Sequence, residues 1–195
     1  MTSRSGRGTT PRAASSRRAL RLVTSTATTA NAHTGYCTSQ ATRNARDAWT
    51  NDERWRALAA VSAEVGIEIT RLGPFVPTLE QGLAAADVGL ASGASALVAF
   101  NDLLAIGTLQ RLERRGVDVP GEISVVGYDD IFGSDFCHPP LTTITGPVDE
   151  AGRTLVDVLL GSIAVGSGGQ LTLPTQLRVR DSTGPASHSP RVSRQ

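Results

Sequence analysis

Asn101 and Asp129 are the residues whose types and spacing most invite chemistry. Asn101 follows a short apolar run, Ser95 to Phe100, and Asp129 follows a second, Ile123 to Tyr128. A carboxamide offers donors and an acceptor, and a carboxylate accepts from two neighbouring hydroxyls. The pair therefore suits a polar, hydroxyl-bearing small molecule. Each also has a plainer reading: Asn101 as the cap of the helix that begins at Asp102, Asp129 as a residue ordering the loop after it. Asp130 reads as a turn-ordering residue. A catalytic reading of Asp129-Asp130, or of Cys137-His138, is weaker, because adjacent strand residues point to opposite faces and seldom converge on one substrate atom. No GxSxG, P-loop or GxGxxG fingerprint is present, so the chain is not read as an enzyme. The two cysteines, Cys37 and Cys137, lie far apart without CxxC or metal spacing, and no metal or cofactor is implied.

Positioning these residues requires a strand, a helix and a second strand. Leu103, Ile106, Leu109 and Leu112 recur at helical spacing between the two apolar runs, Gly116 supplies the stop, and Pro120-Gly121 the turn. Such a βαβ unit has parallel strands joined by a right-handed crossover. In open parallel sheets, ligands bind outside the carboxyl ends of the strands, where Asn101 and Asp129 stand. The linking helix also carries Leu104, giving it more apolar surface than one sheet face needs. That predicts association through this helix, the alternative being that the extra leucines pack inside the same subunit.

Around this unit, Trp55, Leu58, Ala59, Ser62 and Val65 predict a helix capped at Thr50 or Asn51 and stopped by Gly66. Ile67 to Leu72 reads as a strand, and Thr78 caps a helix to about Ala91. Leu141 to Thr145 is a short strand, Pro147 opens a helix over Val148 to Leu160, and Leu171 to Arg180 alternates as a last strand. Of 195 residues, the first 50 hold eight Arg and one acidic residue, while the remainder carry a balance of −6. Residues 1–46, rich in Arg, Ser and Thr without a sustained apolar period, read as disordered, or as a basic arm for nucleic acid phosphates. Residues 185–195 read as a disordered tail, leaving residues 47–184 as the folded domain. No apolar window spans a membrane, and the apolar stretch Ala19 to Val23, broken by Arg21, is too short for a secretory signal.

LVAFNDLLAIG, VPGEISVVGYDDI, HPPLTTITGP and LPTQLRVRDST follow one another in an order and spacing that resembles the effector-binding core of the LacI/GalR family of bacterial transcriptional regulators. The resemblance implies an α/β fold with a Rossmann-like parallel sheet and flanking helices, of the type I periplasmic-binding-protein kind, here incomplete. It implies a cytoplasmic regulator that binds a sugar or nucleoside-like effector, forms a homodimer partly through the loop after Asp130, and has no membrane partner. Operator DNA would be reached through a helix-turn-helix head that cannot be read in residues 1–46. Asn101 and Asp129 fall at the family's ligand-binding Asn and strand-end Asp. Arg56, in ERWRAL, falls at its ligand-gripping Arg, with Arg54 as the surface neighbour; Phe75 resembles its stacking aromatic, or is a core residue. Gly146 stands where the family often has Gln. The helix over Val148 to Leu160 and the last strand would pack on a half of the fold not recognisable here. A solute-binding transporter component shares the fold, but HPPLTTITGP favours the regulator; the other alternative is a non-functional remnant of a regulator.

Overall fold

The computed structural model describes residues 19–23, 39–165, 169 and 171–185. In chain order these form β1 (Ala19–Val23), α1 (Ser39–Glu64), β2 (Glu68–Leu72), α2 (Leu79–Ala91), β3 (Ala96–Ala99), α3 (Asp102–Arg114), β4 (Ser124–Tyr128), β5 (Thr142–Thr145), α4 (Val148–Leu159) and β6 (Gln176–Arg178). The strands make one sheet in the order β2-β1-β3-β4-β5-β6, parallel from β2 to β5, with β6 antiparallel at the edge. The chain thus has the doubly wound α/β architecture, with its strand order reversing between β1 and β3.

Three boundaries differ from those read in the sequence. An ordered strand lies ahead of Asp47: β1 pairs with β2 on one side and β3 on the other, with Leu22 opposite both Arg71 and Val98. Arg21 interrupts an apolar run without interrupting a strand, since a period of two tolerates a polar residue between Leu20 and Leu22. The helix expected from Thr50 or Asn51 begins instead at Ser39, and Asn51 lies buried within it. Polar residues that resemble caps are common inside helices, and Ala, Arg and Gln between Ser39 and Thr50 favour continuation. The disorder expected for residues 1–18, 24–38 and 186–195 falls outside the described residues. At the other end, the long last strand shrinks to the three residues of β6.

The remaining elements form where their signals lie. Thr78 caps α2, its hydroxyl accepting from the Gln81 N–H, and Asn101 caps α3, its side-chain oxygen accepting from the Leu104 N–H at 3.0 Å. Gly116, at φ 66°, ends α3 in the left-handed conformation that a residue without Cβ adopts freely. The core lies between α2, α3 and one face of the sheet: Ala85, Ala86, Leu97, Leu104, Ala105, Leu109, Leu112, Ile123, Val125 and Leu141 are buried there. Leu104 is fully buried, so the surplus leucine of α3 packs within the subunit and is not a partner surface; Leu103, beside it, is the exposed one. α2 and α3 approach closely because a Cβ at Gly107 would collide with the backbone of Leu79, and one at Gly82 with that of Leu104 and Gly107. The Thr108 hydroxyl links the helices through the Gly82 carbonyl at 3.2 Å, and Asp87 accepts from Arg111 and Arg115 across the same seam.

α4 behaves differently. No residue of it is buried, and Val148, Leu155, Val156, Leu159 and Leu160 are exposed along it. Leu177 and Val179, in and beside β6, are exposed as well.

Candidate functional site

Parallel strands put all their carboxyl ends on one edge, and the reversal of strand order between β1 and β3 opens a crevice there. β3 ends into Asn101 and β4 into Asp129. The two residues are positioned as the sequence suggests, at neighbouring strand ends. Asn101 is half-buried, and its cap uses the side-chain oxygen, so its amide nitrogen is a separate donor. Asp129 has φ 101° and Asp130 φ 51°, both in the left-handed region that non-glycine residues seldom enter. The Asp129 carboxylate is half exposed, and burial pushes its pKa above the ordinary value against the opposing charge of Arg54. Asp130 turns away and accepts from Arg178 and Arg180, tying the loop to β6 and the chain after it.

The guanidinium at this edge belongs to Arg54, not Arg56. Arg54 donates to the Phe100 carbonyl at 2.6 Å and stands 3.9 Å from an Asp129 oxygen. Its guanidinium carbon lies 4.0 Å from the centre of the Tyr128 ring and 5.0 Å from that of Phe100, within the range of cation–π attraction. Arg56 is exposed and pairs with Glu53 on its own helix. The reason is helical period: 54 and 56 are separated by about 200°, so only one can share the face of Leu58 and Ser62. That face is the one turned to the sheet, and Arg54 is on it.

Phe75 is 7% exposed and packs in the hydrophobic core, so its ring serves packing and offers no open face. Tyr128 takes the aromatic place at the edge. Its side chain is half-buried, and burial pushes its phenol pKa up, with Arg54 acting against the shift. Sequence reading passed over Tyr128, although an aromatic at a strand's last position beside an acidic pair is a signal of its own. Gly146 has open space where a Cβ would be.

The edge therefore gathers a five-donor cation, a carboxamide, a partly solvated carboxylate and a phenol ring at the ends of two neighbouring strands. Such a set recognises hydroxyls by paired hydrogen bonds, with the phenol ring supporting the guanidinium that makes them. A separate hollow of about 260 Å³, lined by Leu109, Glu113, Val117, Asp118, His138 and Pro139, lies where α3 ends. It is on the opposite edge of the sheet and shares no residue with the strand-end cluster.

Comparison with known proteins agrees with this geometry. Residues 31–183 match the family described as periplasmic binding protein-like domain. The HTH-type transcriptional repressor CytR of Escherichia coli is 39% identical over 92 residues, 46% of this chain and 27% of the repressor. The HTH-type transcriptional repressor PurR of Aliivibrio fischeri is 44% identical over 69 residues, 35% of this chain and 20% of its own length. The crystal structure of a LacI family transcriptional regulator from Arthrobacter sp., in complex with lactose, superposes with a TM-score of 0.61 at 25% identity, over 86% of this chain and 57% of that one. The chain thus spans about a quarter of the curated repressors and a little over half of the solved relative. No helix among the described residues is long and apolar enough to cross a membrane. With its doubly wound sheet and a family match over most of its length, the chain belongs to the periplasmic binding protein-like domain family, and it is similar to regulators of the LacI kind.

Proposed function

We propose that this chain is the effector-sensing part of a DNA-binding transcriptional repressor, and that its effector is a sugar or nucleoside-like molecule held by Arg54, Asn101, Tyr128 and Asp129. The observation that carries the reading is the reach of Arg54, which crosses from α1 to the ends of β3 and β4 and completes a polar set at the crevice. Lactose in the Arthrobacter relative supports a carbohydrate, and the repressors CytR and PurR support a regulator in place of an enzyme or a transport component. The protein would act in the cytoplasm as a homodimer. Effector would shift the dimer between two arrangements to the extent that it binds one more tightly than the other. Operator DNA would be reached through a separate reading element.

The crevice is open on its outer side, with Asp129 half exposed, so binding to this chain alone should be weak. Millimolar affinity, about −4 kcal/mol, is the expected scale. Calorimetric titration with a panel of mono- and disaccharides and nucleosides, lactose included, tests the proposal. At least one member should bind, and Arg54→Ala, Asn101→Ala and Asp129→Ala should each weaken it by about tenfold, a lost charged or paired hydrogen bond being worth roughly 1.5 kcal/mol. Binding indifferent to all three substitutions would sink the site assignment.

A further inference from the structure

Asp102 follows Asn101 in the first turn of α3, and its side chain is fully buried. A carboxylate removed from water is unstable unless hydrogen bonds replace its hydration. Three donors replace it here. One oxygen accepts from the Ile131 N–H at 3.0 Å and from the Ser134 hydroxyl at 2.7 Å; the other accepts from the Thr143 hydroxyl at 2.6 Å. The amino end of α3 adds its favourable dipole. Access depends on Gly127 of β4, where a Cβ would collide with the carboxylate.

These donors lie on both flanks of the loop that leaves the crevice. Ile131 and Ser134 belong to the loop itself, and Thr143 to the neighbouring β5, where the Asp130 N–H also meets the Thr143 hydroxyl at 3.4 Å. The Asp129 N–H donates to the Ile144 carbonyl at 2.8 Å. Between these anchors stand Asp129 and Asp130 in left-handed backbone, a conformation that persists in non-glycine residues only where the surroundings over-determine it. The anchors supply that over-determination.

We infer that Asp102 is a positioning residue of the effector crevice: by holding Ile131, Ser134 and Thr143 it fixes Asp129 in the left-handed backbone that sets its carboxylate beside Arg54. The inference rests on the reading of the strand ends as an effector site. One turn of α3 then has two roles, Asn101 presenting its amide at the edge while Asp102 secures the loop of the neighbouring strand from beneath.

The test uses the full chain without added small molecule and reads Asp129 directly. Scalar couplings between amide and α-protons report φ at Asp129 and Asp130, and amide exchange reports the bond at Ile131. Asp102→Asn keeps the shape but turns half of the acceptor into a donor. In this variant, exchange at Ile131 should accelerate between about tenfold and a hundredfold, the equivalent of a lost charged hydrogen bond. The two couplings should average away from left-handed values while those of α3 stay native. Ser134→Ala and Thr143→Val each remove one donor and should move the same signals less, and Thr143→Ser should keep them native. Native couplings and exchange in Asp102→Asn, or in the two single-donor variants if that one does not fold, would overturn the inference. Arg54→Ala leaves the clamp intact, so loss of panel binding in that variant reports separately on the effector reading.

Discussion

At the scale of the residue, the crevice turns on which side chain of ERWRAL faces the sheet. Arg54 donates to the Phe100 carbonyl and covers the Tyr128 ring, whereas Arg56 is paired with Glu53 in solvent. Arg54→Ala should therefore reduce panel binding about tenfold and expose Tyr128, read as a change in tyrosine fluorescence. Arg56→Ala should leave binding within experimental error. Asp129 adds a pH dependence. A carboxylate accepts hydroxyls best when ionised, and burial places the pKa of Asp129 above the ordinary 3.8. Binding should weaken as pH falls through that raised value, at a higher pH than an ordinary aspartate would give, and calorimetry across an acid series checks it. Because the folded pKa is raised, the protonated form is the one folding favours, so Asp129 itself adds no stability as pH rises. Asn101 and Asp129 were legible in the sequence because strand ends are. The choice of Arg54 over Arg56 was also legible, since the helical period that put Leu58 and Ser62 inward puts residue 54 with them. Phe75 was not, because an aromatic after a strand serves core and crevice alike until packing is known.

At the scale of the element, α2 and α3 are held by small residues more than by charge. Alanine gains roughly 1 kcal/mol over glycine inside a helix, but a Cβ forced into neighbouring backbone costs about 1–3 kcal/mol or more. At Gly107 the collision is with the Leu79 carbonyl, which cannot move without moving α2, so the steric effect should win. Gly107→Ala should lower the denaturation midpoint, while Gly152→Ala in α4, where a Cβ meets nothing, should leave it unchanged or slightly higher. Leu104→Glu should unfold the chain by circular dichroism, since that side chain is fully buried. The βαβ unit was readable because apolar period, cap and glycine stop agree along it. β1 was not, because five residues with one Arg among them carry too weak a local signal. Its place comes from pairing with β2 and β3 on both sides, a non-local fact.

At the scale of the whole molecule, the fold has a well-packed half and an uncovered one. Nothing in α4 is buried, and Leu177 and Val179, in and beside β6, are exposed as well. Apolar surface of this kind promotes association. Leu155→Glu combined with Leu159→Glu should therefore reduce self-association in sedimentation experiments without lowering the denaturation midpoint, because neither side chain is buried. The sequence resemblance already suggested that α4 and the last strand lean on another part of the fold, although their exposure could be seen only with the other elements in place. The central claim remains the crevice at the ends of β3 and β4. Its most direct test is to titrate isotope-labelled protein with the tightest-binding member of the saccharide and nucleoside panel and follow residue by residue which signals move. Arg54, Asn101, Tyr128 and Asp129 should shift together along one saturation curve. Saturable shifts confined to the hollow around Leu109, Val117 and His138, with the strand-end residues unmoved, would contradict the account.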